Sequence, residues 1–299
     1  MTTERLHKGL KASFRRAAIL PARYGLGSNR IRSRLLRLSM AMASWEVTPT
    51  VPVTAIVLDR HRGLTRDLRG FDVAIHGNRH VRYAGRSFEE QAADLDAARS
   101  TFVRHGIDVQ GFRAPYLAAD GNTLELLRER KLSFDSSSPR FLLPRDHAAF
   151  SLGIRQARSR YGRIDEGPIP SLTSSLPVEL PVALPDDEIL VDAMGITNAS
   201  VLGRIFLEML SVVERAGSLF ALQVHPERFD VCSEAVDLLL KEATDRGAWT
   251  VSLSEIARWI SSQHRGSDRW PHGRAFALAI TGDLDALSLG DFAKRAVGA

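Results

Sequence analysis

The sequence predicts an α/β fold in which parallel strands alternate with helices and close toward a distorted, incomplete (β/α) barrel of seven or eight strands. Three observations carry this expectation. Short apolar runs alternate along the chain with segments of helical periodicity, as successive βα units do. Runs such as VPVTAIVLD (51–59) are continuous rather than alternating, which suits strands buried on both faces. The polar residues that stand out are His76, His80, Arg113, Asp135, His225, Asp283 and Asp285, and they mostly follow such runs. In a (β/α) barrel the carboxyl ends of the strands share one face, and that face carries the chemistry.

In chain order, Ile31, Leu35, Leu38 and Met42 lie at helical spacing and predict a helix over 28–43. Residues 51–59 and FDVAIHG (71–77) read as strands. A long helix over 87–105 opens with Ser87-Phe-Glu-Glu90, a capping-box pattern. VQGFRAPY (109–116) is a strand entering a turn, 121–131 a helix, and LSFDSSS (132–138) a short strand and loop. Residues 139–175 are rich in Arg and Pro and poorly periodic, so they read as an excursion over the surface. VELPVALP (178–185) is extended, and 199–216 is a helix. SLFALQVHPERF (218–229) is a strand ending in His225, and 233–246 is again helical. AWTVSLSEI (248–256) is a strand with the next helix beginning at Ser254. After a polar loop (262–274), AFALAITGDLDALSLGDF (275–292) is a last apolar strand delivering Asp283 and Asp285.

The chain has 299 residues, 44% hydrophobic and 25% charged, which is ordinary for a globular protein with a sizeable core. A single unit over 1–299 is expected, with 1–27 a basic extension. One cysteine, Cys232, excludes an internal disulfide and a CxxC metal knuckle. No apolar run is long enough to cross a bilayer. The first 40 residues hold ten Lys/Arg against one acid, Glu4, while the remainder holds 30 against 34. A segment such as LHKGLKASFRRAAIL could contact an anionic membrane face or a phosphorylated glycan carrier, although a solvated helix face is the plainer reading. The basic start lacks an apolar core and a cleavage site, so a cytoplasmic protein, at most peripheral to a membrane, is expected. No recognition motif accompanies the charge, and a nucleic-acid partner is not expected.

His76-Gly-Asn-Arg-His80 places two imidazoles four residues apart after a strand. Such a pair binds nothing unless a third ligand joins it, and the aspartates at 283 and 285 are the best candidates. Two histidines and one carboxylate suit a hydrolytic zinc centre and equally a non-haem iron centre. A divalent metal there would bring the pKa of a bound water from 15.7 to roughly 7. One carboxylate then remains over, and it can take the proton of that water. A DxD pair can also be a simple turn or cap. In Arg113-Ala-Pro-Tyr116 the proline fixes the bend. The guanidinium can orient a carboxylate, Asp135 could hold that Arg, and the backbone N–H of Tyr116 can face a developing oxyanion. His225 sits where a general acid would act, or is a structural histidine.

Together these residues resemble the polysaccharide deacetylases, carbohydrate esterase family 4, over roughly residues 45–290. HGNRH is similar to the family's zinc-binding His motif, FRAPY to its Arg-x-Pro-aromatic motif, and LQVHP to its late histidine motif. SFDSSSP, VELPVALPDD and AWTVSLSEIARWI also look alike. The family's first strand carries a Thr-x-Asp-Asp motif ahead of the histidines, and none stands there in this chain, where VPVTAIVLD offers only Asp59. TGDLD resembles that motif, so the chain reads as circularly permuted, with the first strand relocated to 275–290 and a following helix supplied by 28–43. The resemblance implies His76, His80 and Asp285 as ligands of one divalent ion, zinc foremost, with Co, Ni, Mn or Fe as alternatives. It implies Asp283 as base, Arg113 as its orienting partner, the Tyr116 N–H at the oxyanion and His225 as acid. The implied activity is hydrolysis of a small acyl group, most often N-acetyl on an amino sugar or glycan precursor. A non-sugar amide or a catalytically inactive glycan-binding barrel are the alternatives. Exchange of the last strand between two copies would make a homo-oligomer with a shared site.

Overall fold

The computed structural model describes residues 20–21, 23–169, 175–262 and 270–296. Most of the basic extension, the end of the Arg/Pro-rich segment and most of the polar loop before the last strand lie outside the described residues. Helix α1 (Asn29–Ala43) buries Ile31, Leu35, Leu38 and Met42, the residues whose spacing marks it. Strand β1 (Thr50–Val53) follows, wholly buried. The run 51–59, expected as one strand, is divided: Ala55–Arg60 is helix α2, which buries Ala55, Val57 and Leu58. A continuous apolar run cannot by itself separate a buried strand from a buried helix. Here the ladder stops where the Thr54 N–H donates to the Leu284 carbonyl (3.2 Å).

Helix α3 (Leu64–Asp67) leads to β2 (Asp72–Ile75), and α4 (Phe88–Arg104) begins with the expected reciprocal cap between Ser87 and Glu90. Strand β3 (Gly111–Phe112), helix α5 (Gly121–Glu129) and strand β4 (Phe134–Asp135) come next. The segment from 139 onward is more ordered than an excursion: it forms β5 (Pro139–Phe141), α6 (Phe150–Tyr161) and β6 (Asp165–Glu166). Ile154, Ala157 and Tyr161 are buried at helical spacing among three arginines, and those charges conceal the stripe. Strands β7 (Val178–Glu179) and β8 (Val182–Leu184) are followed by α7 (Ala199–Ala216), β9 (Leu219–Gln223) and α8 (Phe229–Asp245). The chain closes with β10 (Ala248–Thr250), α9 (Leu253–Ser262), β11 (Phe276–Thr281) and α10 (Leu289–Ala296).

Every strand pairing among the described residues is parallel, in the order β6-β5-β8-β9-β11-β1-β2-β3-β4-β7, with β10 also on β11. The short stretch 178–184 meets β4 with its first half and β9 with its second. The sheet therefore curls back on itself as a (β/α) barrel with flanking helices, and its strand tips face a common centre. Strand β11 is central. It lies between β9 and β1, with Thr281 opposite both Gln223 and Thr50. Pairing continues past its end: the N–H groups of Gly282 and Leu284 donate to Thr50 and Pro52 carbonyls (3.2 and 2.8 Å). Helix α1 packs on α8. No helix among the described residues is long and apolar enough to cross a membrane.

Candidate active site

Strand β2 delivers His76 to the centre. Its ring is buried, and its Nδ1–H donates to the Arg113 carbonyl (2.8 Å), which leaves Nε2 facing Asp283 and Asp285. Between the histidines Gly77 takes φ +73°, a conformation L side chains rarely adopt. Asp94 of α4 holds this loop, accepting the backbone N–H groups of Asn78 (2.8 Å) and Arg79 (3.2 Å) and the hydroxyl of Tyr83 (2.8 Å).

From β11 come Asp283 and Asp285, with the buried Leu284 between them, so their alternation follows the strand. Asp285 lies 3.4 Å from Nε2 of His76 through Oδ1 and 3.2 Å from Nε2 of His80 through Oδ2. Asp283 Oδ2 lies 3.5 Å from Nε2 of His76. One ligand atom each from His76, His80 and Asp285 can be drawn within 4.8 Å of one another. Gly282 makes this placement possible, because a Cβ there would sit 2.0 Å from the Val224 carbonyl oxygen.

Arg113 is fully buried and each of its three side-chain nitrogens donates. Nη1 donates to Asp283 (2.8 Å) and Thr281 (3.1 Å), while Nε and Nη2 donate to the carbonyl and hydroxyl of Ser136 (2.9 and 2.8 Å). The expectation that Asp135 holds this arginine is corrected. Asp135 instead accepts from the Ser137 hydroxyl (2.5 Å), and that oxygen accepts the Ala114 N–H (2.8 Å). Successive strand residues point to opposite faces, and it is Ser136, one position on, that meets the guanidinium. Burial pushes the Asp135 carboxyl up to about 6. Tyr116 has left-handed backbone (φ 60°), and its ring meets His80 edge-on at 4.4 Å.

His225 stands past the end of β9, two residues after Gln223. Asp187, wholly buried, accepts both its Nδ1–H (2.6 Å) and its backbone N–H (2.7 Å). Burial opposes a charge on this ring, but Asp187 outweighs it and raises the pKa to about 10. Gln223 joins the two sides of the site, its amide nitrogen 2.8 Å from His225 Nε2 and 3.3 Å from Asp283 Oδ2. A protonated ring needs an acceptor at Nε2, and the otherwise unpartnered Gln223 Oε1 supplies one when the amide turns over.

Burial alone would raise both aspartates. For Asp283 the fields of His76, Arg113 and His225 reverse this, and for Asp285 those of His80, Arg295 and His76 do, so both carboxyls lie below their usual range. Burial takes His80 down to about 4 against the pull of Asp285, so the ring is neutral and its lone pair is available. Two imidazoles and a carboxylate are a fitting donor set for a divalent metal. His80 Nδ1 is buried without a partner.

The structure thus brings together His76, His80, Arg113, Asp283 and Asp285, with Tyr116 and His225 beside them. Sequence reasoning missed Asp187, Gln223, Ser136, Asp94 and Arg295. Asp187 follows the VALP run as the second of two acids, which is the signal that could have marked it.

No protein-family model matches the sequence, and no curated protein matches it. Solved structures do. Two proteins assigned as polysaccharide deacetylases are similar at 18% identity. The one from Mycobacterium smegmatis has a TM-score of 0.59 over 82% of this chain and 84% of its own. The one from Pseudomonas aeruginosa PAO1 has 0.56 over 78% and 74%. The Puue allantoinase is similar at 13% identity, TM-score 0.58, over 78% of this chain and 74% of its own. At these identities the likeness defines the fold: the chain has the polysaccharide-deacetylase (β/α) barrel.

Proposed function

We propose that this protein is a metal-dependent hydrolase that removes a small acyl group, N-linked in the main, from an amino sugar or glycan precursor. The observation that supports it most is the His76–His80–Asp285 cluster with Asp283, held by buried Arg113, on its flank. A divalent cation on that cluster, zinc foremost, would supply a Lewis acid and lower the pKa of a coordinated water. Asp283 is the proton acceptor. It is ionised, faces the cluster, and is fixed by Arg113 on one oxygen. The strained turn at Tyr116 presents its backbone N–H to charge developing on the acyl oxygen. His225, kept protonated by Asp187, returns a proton to the leaving amine.

The relocation of a first strand belongs to the same proposal. The aspartate-bearing strand sits between β9 and β1, although it is last in the chain. A non-sugar amide is the second reading, favoured by the likeness to an allantoinase. The test is acetate release from a panel of N-acetylated sugars, with and without a chelator. Chelator-sensitive release that Asp283→Asn abolishes is expected. No release from any sugar would overturn the sugar reading and turn the search to cyclic and linear amides.

A further inference from the structure

We infer that Arg295 is a built-in cation competing with the metal for Asp285, so that docking of the C-terminal helix and metal binding oppose each other. This rests on the metal reading above. Arg295 Nη1 lies 2.5 Å from Asp285 Oδ2, the oxygen that also faces His80 Nε2 at 3.2 Å. The guanidinium therefore sits on the same side of the carboxylate that a cation shared with His80 requires. A guanidinium carries only donors and keeps its charge, so it cannot become a ligand. It neutralises Asp285 now, and beside a dication in a buried setting it is repelled.

The anchors of this helix that do not involve Arg295 lie toward its start. Its first turns are anchored through Asp291, which accepts from His61 Nε2 (2.6 Å) and from the backbone N–H groups of Leu287 and Ser288 (both 3.2 Å). Phe292 packs on Tyr24 with ring centroids 5.3 Å apart. Arg295 lies beyond these anchors in the last turn, its guanidinium 4.8 Å above the Phe292 ring. Glu227 is the other carboxylate whose charge acts on it. A displaced Arg295 thus has a second carboxylate, Glu227, within its surroundings. Ligand and competitor are ten positions apart on one segment, so occupancy of Asp285 is coupled directly to the seating of α10. Coupling of this kind is reciprocal: whatever holds α10 down weakens metal binding by the factor by which metal loosens α10.

The experiment titrates chelator-stripped full-length protein with Co²⁺, following its visible absorption. Arg295→Ala and Arg295→Gln are expected to bind at least about tenfold more tightly than the parent, and Arg295→Lys close to it, since charge is what competes. In the parent, Co²⁺ should also speed amide hydrogen exchange over residues 289–296. Equal or weaker binding by the Ala and Gln variants, with the parent still binding, would show that Arg295 orients Asp285 instead, and the competition is overturned. Absence of Co²⁺ binding in the parent and both variants overturns the metal reading and this inference with it.

Discussion

Asp283 and Asp285 stand two residues apart on one strand tip, yet their surroundings divide them. Asp285 is enclosed by the two imidazoles and Asp283 by Arg113 and Gln223. Asp283→Asn should therefore lower the rate by roughly 10²–10⁴-fold, the usual worth of a general base, with Co²⁺ affinity nearly unchanged. An active Asp283→Asn protein would remove the base from the mechanism. His225 gives a second expectation. Its folded pKa of about 10 lies above the ordinary value of 6.5. The stability it contributes is therefore fully present below about pH 6.5 and is lost as pH rises through about 10. Asp187→Asn removes the group that sustains the charge, and burial then acts unopposed. NMR of the His225 ring should show its pKa falling to or below 6.5, with stability at neutral pH reduced by roughly 3–5 kcal/mol, as for a broken buried pair. A pKa that stays near 10 would mean that other carboxylates hold the proton. His225 itself is visible in the sequence because it follows an apolar run. Asp187 lies 38 residues away, and nothing local announces that the fold will press the two together.

The elements were legible wherever a local rule applied. The capping box at Ser87 and the 3.6-residue stripe of α1 depend only on neighbours in sequence, and both are present. The division of 51–59 into β1 and α2 was hidden because apolar residues satisfy either state, and tertiary hydrogen bonds from the 282–284 stretch decide it. Helix α6 was hidden by its arginines, which are solvated charges around a narrow buried stripe. The 282–284 stretch is thus an element-level hinge of the site, and Gly282 is its tightest point. Gly282→Ala must move β11 away from Val224, since their separation would be 2.0 Å. We expect a loss of roughly 1–3 kcal/mol, as for overpacking, together with weaker Co²⁺ binding as Asp285 shifts from the histidines. Thermal unfolding and the Co²⁺ titration measure these separately. A variant as stable and as tight-binding as the parent would show that β9 and β11 can part here without disturbing the site.

At the scale of the whole molecule, the last strand is an interior strand, and the two described ends of the chain meet. The Leu289 N–H donates to the Gly25 carbonyl (2.9 Å), and Tyr24 packs on Phe292. Chain order and spatial order are therefore separable: β11 needs its neighbours β9 and β1, but it does not need to come last. This is the physical content of reading TGDLD as a displaced first motif. That reading rests on motif order, because a strand's partners are set by the sheet and not by its position in the chain. A protein that begins at Trp270, runs to Ala299, continues through a short Gly/Ser linker into Met1 and ends at Ser262 puts the strand in first place. Circular permutation succeeds where ends lie close together and the new break falls outside regular elements. This permutant should fold cooperatively and bind Co²⁺ within a few-fold of the parent, because every pairing around β11 is retained. By contrast, ending the chain at Ser262 without relocating the strand removes the partner of both β9 and β1. That truncated chain should not fold cooperatively. If the permutant also fails while the parent folds, then the link from α9 into β11 is itself required, and β11 is bound to its place at the end of the chain.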